Sequence, residues 1–443
     1  MRRVCIVGSG YVGLVTGSCL SDLGNKVICV DNDKEKIASL CQLKMPIYEP
    51  GLEEIVRRNT ARGRLEFTTD LKGSVGRSEI IFIAVGTPPK ENGEADLSFV
   101  ESVSKEIAKS MKDYHLIVEK STVPVQTGLR IKETIQDNVN KGVEFDIASN
   151  PEFLREGSAV SDFMKPDRIV IGVETEKAKQ ILTELYQPLE VPIIVTDIQS
   201  AELIKHASNS FLATKISFIN ALSIICELTG ADIKMVAKGM GMDKRIGHSF
   251  LDAGLGFGGF CFPKDLAAFI RISERLGYNF ELLKAVEKIN RMQKERFIKK
   301  IEEVLWNLKG KTIGILGLSF KPNTDDIRFA PSIDIIEGLL KGGAKIKAYD
   351  PYAMDKMSKV LPDITYCKDA YEVACASDAL VIVTEWSEFK EINLEEIKKL
   401  LNNPIIIDGR NIYDIDKMKE LGFKYISIGR KTGGVAGAFF SDL

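Results

Sequence analysis

One stretch, Gly254-Leu-Gly-Phe-Gly-Gly-Phe-Cys261-Phe-Pro-Lys264-Asp265, has the clearest chemical character in the sequence. Cysteine is usually a small buried hydrophobe. The cysteines on predicted strands and helices fit that packing role: Cys5, Cys19, Cys29 and Cys226. Cys261 differs because four glycines precede it and a lysine and an aspartate follow it. Glycines let backbone N–H groups converge on an anion and a nearby lysine stabilises a thiolate, so this context predicts a nucleophile.

Two polar residues, Lys205 and Asn209, lie four positions apart on a predicted helix and therefore share one face. Their surroundings are small and apolar, so both side chains can point into a shared cavity. An amine and an amide placed there would stabilise an alkoxide that develops on a substrate. A solvated stripe beside the core fits the spacing equally well.

Acidic residues follow another predicted strand, in Asn150-Pro-Glu152-Phe-Leu-Arg-Glu156-Gly157. One carboxylate there could act as a base or orient a water molecule. Acids at a helix N-terminus, favoured by the helix dipole, explain the same pattern equally well. The three histidines of the chain stand apart from any triad-like setting, so we expect no histidine base.

A dinucleotide site is predicted by Gly8-Ser-Gly10-Tyr-Val-Gly13, which directly follows a strand and opens a helix. The glycines permit a tight turn and let backbone N–H groups approach a pyrophosphate at the helix N-terminus. Asp31 ends the second strand, where a carboxylate accepts hydrogen bonds from the adenosine ribose. Because it would repel a 2′-phosphate, the predicted cofactor is NAD rather than NADP. Thr87 and Thr122 follow two later strands, at the edge where open α/β sheets bind ligands.

Alternation of buried strands and helices predicts an α/β fold with two Rossmann-like doubly wound domains joined by a long central helix. We expect an NAD-binding domain over 1–198, a central helical domain over 199–308 that carries dimerisation and the active-site loop, and a second nucleotide-binding-like, Rossmann-like domain over 309–443. Strands are predicted at 4–7, 27–30, 80–85, 116–119, 147–149, 168–172, 193–195, 312–316, 345–350, 379–384 and 404–408.

The predicted central helix runs from Gln199 to Gly230, with Asp197 or Ser200 as its cap. At about 30 residues it is long for a globular helix. Its apolar positions, among them Phe211, Ile219 and Ile225, could form a dimer core or lie buried between two domains.

Composition excludes several classes of protein. The net charge is −2, the chain is 44% hydrophobic and 28% charged, and it has no block of like charge. This balance gives no support to a nucleic-acid or membrane-surface partner. We expect no membrane span, because no stretch approaches about 18 apolar residues. Its eight scattered cysteines indicate neither a disulfide framework nor a metal site, and a cytoplasmic location is expected.

Together these motifs closely resemble the UDP-glucose 6-dehydrogenase family, within the UDP-glucose/GDP-mannose dehydrogenases. The match covers nearly the whole chain in the same order: Gly8–Gly13, Glu49–Gly51, Val85–Pro88, Ser121–Pro124, Asn150–Gly157, Lys205–Asn209, Phe250–Asp265 and Gly317–Arg328. Phe260 departs from the pattern, since members often carry a smaller residue before the cysteine.

The resemblance implies that C6 of UDP-glucose is oxidised to a carboxylate in two steps, with two NAD⁺ reduced per sugar. Cys261 would attack the intermediate aldehyde, and the thiohemiacetal would become a thioester that water hydrolyses. Lys205 and Asn209 resemble the family's oxyanion-stabilising pair. Asp265, with Thr122 and Glu152, resembles the group that binds and activates water.

Binding positions are also implied by the resemblance, and the domain over 309–443 would be a UDP-binding domain. Cofactor contacts would come from the fingerprint glycines and from Val12, Asp31, Lys36, Thr87, Thr122, Glu156, Lys264 and Arg328. Substrate contacts would come from Glu152, Phe153, Leu154, Arg155, Glu156, Lys205, Asn209, Phe250, Leu251, Asp252, Ala253, Gly254, Gly258 and Lys321. Arg245 resembles an arginine that reaches the substrate across a homodimer.

Three other interpretations compete with this one. A sister enzyme would act on GDP-mannose or a UDP-N-acetylhexosamine. A single-step β-hydroxyacid dehydrogenase would also use a helix Lys/Asn pair but would not need Cys261. A non-catalytic NAD-binding scaffold is disfavoured by the intact cysteine, lysine and aspartate.

Overall fold

The computed structural model of the protein describes residues 1–88, 90 and 93–431. The chain forms two compact units. Unit 1 comprises Met1–Ser208 and Ala267–Tyr278, and unit 2 comprises Asn209–Leu266 and Asn279–Leu443. Two helices, α9 (Ile198–Thr229) and α11 (Cys261–Arg275), contribute residues to both units.

Unit 1 contains an eight-stranded sheet with the strand order β3-β2-β1-β4-β5-β6-β7-β8. The pairs are parallel except for β6 with β7, which is antiparallel. The strands are β1 (Arg3–Val7), β2 (Lys26–Val30), β3 (Leu65–Thr68), β4 (Ile80–Ile83), β5 (His115–Glu119), β6 (Phe145–Ser149), β7 (Ile169–Val173) and β8 (Ile193–Thr196).

Helices connect the strands of unit 1 and cover both faces of its sheet. Alternate residues of β1 lie in two different hydrophobic clusters, Val4 and Ile6 in one and Cys5 and Val7 in the other. The helices are α1 (Tyr11–Asp22), α2 (Lys34–Cys41), α3 (Leu52–Ala61), α4 (Leu71–Arg77), α5 (Ser98–Ser110), α6 (Thr127–Asn138), α7 (Ala159–Met164) and α8 (Glu176–Tyr186).

Unit 2 contains a six-stranded parallel sheet with the order β11-β10-β9-β12-β13-β14. The strands are β9 (Thr312–Leu316), β10 (Lys345–Tyr349), β11 (Thr365–Tyr366), β12 (Ala379–Ile382), β13 (Ile405–Asp408) and β14 (Lys424–Ser427). The remaining helices are α10 (Ile233–Gly241), α12 (Glu281–Leu305), α13 (Pro331–Lys341), α14 (Met354–Met357), α15 (Ala370–Ala374), α16 (Ser387–Glu391), α17 (Leu394–Leu400) and α18 (Ile415–Glu420).

These observations confirm the predicted fold class and every predicted strand. The sequence missed β3, β11 and β14, which are short edge strands with exposed positions and little continuous apolar signal. The central helix is confirmed within one residue at each end, and Asp197 caps it by accepting the N–H of Ser200 at 2.7 Å.

The described residues contain one helix, α9, that is long and apolar enough to cross a membrane by length and composition alone. Its most apolar 18-residue window has a mean hydropathy of 1.5 and is 33% buried. This differs from the expectation that no stretch approaches a span. Core helices of soluble proteins pass the same test, and polar side chains along α9 are hydrogen-bonded within unit 2, for example Ser217 to the carbonyl oxygen of Val286 at 3.0 Å.

Candidate functional site

In unit 1, strand β1 leads directly into the glycine-rich turn. Gly8 has a φ of +102°, and a Cβ there would lie 2.6 Å from the carbonyl oxygen of Ala84. A Cβ on Gly13 would lie 1.8 Å from the carbonyl oxygen of Gly8, so only glycine allows this close packing. Apart from Gly10 and its adjoining backbone, no atom of the described residues lies within 4 Å of the Cβ position of Gly10. The backbone is therefore open to a ligand at that residue.

Helix α1 begins immediately after this turn, and Gly10 at its N-cap supplies no side-chain cap. The first turn, with half-buried Val12, therefore presents backbone N–H groups and the positive end of the helix dipole. Both features suit a pyrophosphate. The residues present thus fit the dinucleotide that the sequence predicts.

Asp31, just after β2, is held beside the turn by three hydrogen bonds. Its Oδ2 accepts the N–H of Ser9 at 2.8 Å and the Lys36 ammonium at 2.9 Å, and its Oδ1 accepts the N–H of Asp33 at 3.0 Å. Burial raises the pKa of Asp31, but these hydrogen bonds outweigh burial and hold it below its usual value. The carboxylate is therefore ionised near the expected ribose position.

The loops that follow β4 and β5 are joined by their hydroxyl groups. Thr87 Oγ1 donates to the carbonyl oxygen of Thr122 at 2.9 Å, and Ser121 Oγ donates to that of Val85 at 2.8 Å. Thr87 is buried and Thr122 is half-buried. The structure therefore brings together the two threonines that the sequence placed at this sheet edge.

A buried ion pair joins α9 to the segment after β6. Lys205 Nζ lies 2.9 Å from Glu152 Oε1, and both side chains are 4% exposed. Glu152 Oε2 accepts the N–H of Leu154 at 2.5 Å. The ring of Phe153 lies 5.4 Å from Lys205 Nζ and 3.8 Å from the guanidinium carbon of Arg168. Glu152 and Lys205 thus act on each other directly, which their separate sequence signals did not reveal.

Lys120 is a buried charge near this pair that sequence reasoning missed. Its Nζ donates to Asn150 Oδ1 at 2.9 Å, and the Tyr186 hydroxyl donates to the same oxygen at 2.5 Å. Burial lowers the pKa of Lys120 to about 8, although Glu152 and Glu119 oppose that change. Its position directly after β5 was the only signal in the sequence.

Two predicted substrate residues in the same segment have different surroundings. Arg155 is exposed, and its guanidinium lies 2.6 Å from Asp162 Oδ1, so the structure directs it toward a carboxylate of unit 1. Glu156 is half-buried and precedes Gly157, which has a φ of +79°.

In unit 2, Cys261 is half-buried and is the first residue of α11. A thiolate at a helix N-terminus is stabilised by the helix dipole. The four cysteines to which we assigned a packing role are buried, as predicted: Cys5, Cys19, Cys29 and Cys226.

Asp265 connects two other predicted site residues of unit 2. Its Oδ2 accepts the Asn209 amide at 2.6 Å, and its Oδ1 lies 2.8 Å from Lys264 Nζ. All three side chains are buried. Asn209 therefore orients an acid, and Lys264, which the sequence assigned to the thiolate, is paired with the same acid.

The glycine-rich stretch before Cys261 differs from the prediction that its N–H groups converge on an anion. The N–H groups of Gly254, Phe257 and Gly259 already donate to the protein, at 2.8 Å to Asn220 Oδ1, 2.8 Å to Asn290 Oδ1 and 2.9 Å to the carbonyl oxygen of Arg328. A Cβ on Gly258 would lie 2.3 Å from the carbonyl oxygen of Phe329. These glycines allow close packing of the stretch against its neighbours.

The predicted substrate segment 250–254 begins at Phe250, which has a left-handed φ of +65°. Within it Leu251, Ala253 and Gly254 are buried, whereas Asp252 is exposed. Arg410, which sequence reasoning missed, lies 3.3 Å from the Cβ position of Gly254 and donates from Nε to Val383 at 2.7 Å. Its position just after β13, at the carboxyl edge of the sheet, was the available signal.

Phe260 packs beside two predicted cofactor residues. The guanidinium carbon of Arg328 lies 4.3 Å from its ring centroid, and Lys264 Nζ lies 5.5 Å away. Arg328 also forms a bidentate pair with Asp326, at 2.6 and 2.9 Å.

Two further predicted substrate residues lie elsewhere in unit 2. Lys321 Nζ lies 5.5 Å from the Phe320 ring. The predicted substrate residue Arg245 is highly exposed, and its guanidinium lies 2.6 Å from Asp243 Oδ2.

Three consecutive regions of the chain match domains of one family. Residues 2–190 match the NAD binding domain of the UDP-glucose/GDP-mannose dehydrogenase family, residues 199–292 its central domain, and residues 314–415 its UDP binding domain.

Individual relatives extend the similarity over almost the whole chain. The UDP-glucose 6-dehydrogenase YwqF of Bacillus subtilis is 49% identical over 437 residues, which cover 98% of this chain and 99% of the relative. The structure of a UDP-glucose dehydrogenase from Pyrobaculum islandicum is 38% identical, with a TM-score of 0.91, and the match covers 97% of this chain and 98% of that one. A UDP-D-ManNAc dehydrogenase from Pyrococcus horikoshii is 26% identical, with a TM-score of 0.85 and coverage of 97% and 99%.

Proposed function

Because the chain belongs to the UDP-glucose/GDP-mannose dehydrogenase family, we propose that it oxidises UDP-glucose to UDP-glucuronate with NAD⁺, through covalent catalysis by Cys261. The observation that carries the proposal is the composition of the start of α11. A half-buried thiol begins this helix, and a buried acid four residues later is held by an amide and an ammonium. A single-step alcohol oxidation would not need that thiol.

The first oxidation converts the C6 alcohol to an aldehyde. A nicotinamide bound in unit 1 would accept one hydride in each oxidation, and NADH would leave and be replaced by a second NAD⁺ between the two. Lys205 and Asn209, one turn apart on α9, stabilise the negative charge that develops on the C6 oxygen as its proton leaves. Glu152, 2.9 Å from Lys205, keeps that ammonium oriented.

Cys261 then holds the aldehyde between the two oxidations. Its sulfur forms a bond to C6 and the aldehyde oxygen takes up a proton, which gives a thiohemiacetal. Loss of that proton and of the C6 hydride leaves a thioester. Covalent capture prevents escape of the aldehyde and divides one difficult conversion into easier steps.

Hydrolysis of the thioester completes the reaction. Water adds to the thioester carbon, the C–S bond breaks, and the thiol is regenerated with a carboxylate product. Asp265 orients and activates this water, because its carboxylate is buried and fixed by Asn209 and Lys264. The resemblance to the family also assigns Thr122 and Glu152 to the binding of this water.

The stoichiometry of NADH formation tests this function. Purified protein with excess NAD⁺ and limiting UDP-glucose is expected to form two NADH per sugar. One NADH per sugar would indicate a simple alcohol dehydrogenase, and none would refute the proposal. The same assay with GDP-mannose and a UDP-N-acetylhexosamine tests the sister-enzyme alternative. That alternative is worth testing because a UDP-D-ManNAc dehydrogenase, at 26% identity, has a similar structure.

A homodimer is also proposed, with α9 at its interface. Phe211, Phe218 and Ile225 are spaced seven residues apart on α9 and are 66%, 53% and 52% exposed. Met235 on α10 is 62% exposed. Exposing these apolar side chains to water costs free energy, and burial against a second copy of the chain would remove that cost. A mass by light scattering equal to one chain would refute this, and Phe211→Glu with Phe218→Glu is expected to give monomers.

The domain limits 1–198, 199–308 and 309–443 and a cytoplasmic location remain part of this proposal. Three matched regions of the family, at 2–190, 199–292 and 314–415, support the three-domain division. Hydrogen-bonded polar groups on α9, such as Asn209 and Ser217, support its role as a core and interface helix rather than a membrane span.

A further inference from the structure

Glu49, in the segment Glu49-Pro-Gly51 between α2 and α3, has no role in the chemistry described so far. It is 6% exposed, although no lysine or arginine in the described residues forms an ion pair with it. Its carboxylate instead accepts hydrogen bonds from three donors on two other segments. Burying a carboxylate is costly unless its oxygens are satisfied, so this arrangement calls for an explanation.

The three donors come from the two ligand-binding segments of unit 1. Glu49 Oε2 accepts the N–H of Gly157 at 2.7 Å and also accepts the Tyr11 hydroxyl, and Oε1 accepts the N–H of Ala159 at 2.8 Å. Tyr11 is the first residue of α1, inside the dinucleotide fingerprint. Gly157 directly follows Glu156, and Ala159 begins α7.

We propose that Glu49 and Tyr11 are positioning residues that couple dinucleotide binding at Gly8–Gly13 to the geometry of the segment Asn150–Gly157. This inference rests on the proposed function, since it assigns the first segment to NAD and the second to the sugar nucleotide. Neither residue needs to touch a ligand for this role.

The coupling follows from the order of the contacts. A pyrophosphate bound at the N-terminus of α1 restricts the first turn, and therefore Tyr11. The Tyr11 hydroxyl then fixes the Glu49 carboxylate, whose charge-assisted bonds hold the two N–H groups at 157 and 159. Burial, followed by the neighbouring Glu49, raises the pKa of Tyr11, so the hydroxyl keeps its proton and remains a donor.

Thermodynamic linkage makes the effect reciprocal. If NADH tightens the segment that binds the sugar nucleotide, then the sugar nucleotide must tighten NADH binding by the same factor. Couplings between sites are typically about 5–150-fold in affinity. A simple structural cap on α7 would stabilise the fold without changing with ligand.

Hydrogen exchange of the full-length protein measures the link without any sugar nucleotide. In the wild type, saturating NADH is expected to slow exchange of the Gly157 and Ala159 amides at least about fivefold. Tyr11→Phe, which keeps the ring and removes the hydroxyl, is expected to bind NADH within about threefold of wild type but to lose this slowing. The proposal is overturned if NADH does not slow these amides in the wild type, or if the slowing persists in Tyr11→Phe.

Binding measurements provide the second readout. We would measure the dissociation constant of UDP-glucose with and without NADH, and that of NADH with and without UDP-glucose. The coupling factor is the ratio of the two constants for one ligand. In the wild type both ligands are expected to give the same factor, and in Tyr11→Phe the factor is expected to be near 1. Glu49→Gln, which places an amide NH₂ against these donors, is expected to behave alike. An unchanged factor in Tyr11→Phe would contradict the proposal even if Glu49→Gln fails to fold.

Two variants serve as matched controls. Tyr114→Phe removes a hydroxyl that also donates to a carboxylate, Asp146, at 2.6 Å, and Glu53→Gln alters an exposed acid paired with Arg57. Both are expected to retain the wild-type coupling, and loss of it in either would overturn the assignment to Tyr11 and Glu49. If the wild type binds NADH but forms no NADH from UDP-glucose and NAD⁺, the proposed function is refuted. The comparison of hydrogen exchange between the wild type and Tyr11→Phe would still decide whether the two segments are coupled.

Discussion

The glycine turn after β1 in unit 1 and the glycine turn after β9 in unit 2 both follow the first strand of a unit. They differ in the element that comes next. In unit 1, only residues 8–10 separate β1 from α1, so a helix N-terminus lies at the glycine turn. In unit 2, residues 317–330 separate β9 from α13, and Gly317 has a φ of +94° without a helix directly after it. The turn of unit 1 therefore has the helix N-terminus that suits a pyrophosphate directly at its glycines, whereas the turn of unit 2 does not.

The acid that follows the second strand shows the same contrast. Asp31 bonds to two backbone N–H groups and to half-buried Lys36 beside the open turn. Asp350 is fully buried, and its oxygens accept four backbone N–H groups, the Ser319 hydroxyl and the Trp386 indole. We interpret Asp31 as a ligand residue and Asp350 as a structural one.

The largest expected effect separates chemistry in unit 2 from cofactor binding in unit 1. Cys261→Ser is expected to lower steady-state turnover by roughly 10³-fold or more, because serine does not form the thioester. NADH affinity, measured by fluorescence titration, should stay within about twofold, since the fingerprint is untouched. Sustained wild-type turnover in this variant would rule out covalent catalysis.

The second prediction concerns Asp31. Asp31→Ala removes the carboxylate expected to bind the adenosine ribose, and hydrogen bonds to charged groups contribute about 1.5–3 kcal/mol. The dissociation constant of NADH should therefore rise about 10–100-fold. Calorimetric titration checks this, and an unchanged constant would show that the acid does not contact the cofactor.

The third prediction concerns Asp350, which follows the second strand of unit 2 as Asp31 follows that of unit 1. Asp350→Ala leaves several buried donors without an acceptor, at a cost of about 1–3 kcal/mol each. The free energy of unfolding, measured by urea titration, should fall by at least about 3 kcal/mol, with NADH affinity unchanged in the folded fraction. A variant of wild-type stability that binds NADH poorly would reverse the assignment of the two acids.

The smallest expected effect is on the pH dependence of stability and compares two acids of α9, buried Glu202 and half-buried Glu227. Burial raises the pKa of Glu202 to about 7, although the N–H groups of Gly128 and Gln126 donate to it. Its folded pKa lies above its usual 4.5, so the folded state binds more protons between pH 4.5 and 7, and stability falls as the pH rises through that window. Glu202→Gln should flatten this fall in melting temperature.

Glu227, in unit 2, has the opposite effect on the pH dependence of stability, because its folded pKa is lowered. Burial raises its pKa, but Lys300, the N–H of Gly429 and Arg296 outweigh burial and lower it. Its stabilisation is therefore present above pH 4.5 and is lost as the pH falls below that value. Glu227→Gln should leave the slope between pH 4.5 and 7 unchanged, and a slope that flattens in this variant instead of in Glu202→Gln would contradict both assignments.

Much of the fold was predictable because its signals are local. Buried parallel strands such as β1 and β4 appear as continuous apolar runs, and α9 has a capping aspartate and no Pro or Gly within its span. The antiparallel pairing of β6 with β7 was not predictable, since strand direction depends on how the intervening chain packs.

Several candidate site residues were also predictable from local sequence patterns. The fingerprint glycines, Asp31 and the cysteine at the start of α11 are recognisable because turn geometry and helix termini depend on neighbouring residues. The residues predicted at the sheet edge, Thr87 and Thr122, came together as expected because parallel strands end at one edge.

Only the tertiary structure decided the partners of these groups. Asn209 pairs with Asp265 across 56 positions, Lys205 pairs with Glu152, and Glu49 reaches Gly157 across 108 positions. The N–H groups of the stretch before Cys261 are likewise taken by Asn220 and Asn290, from α9 and α12. A buried charge takes whichever partner the packing of distant segments brings within about 3 Å, and no local pattern records that distance.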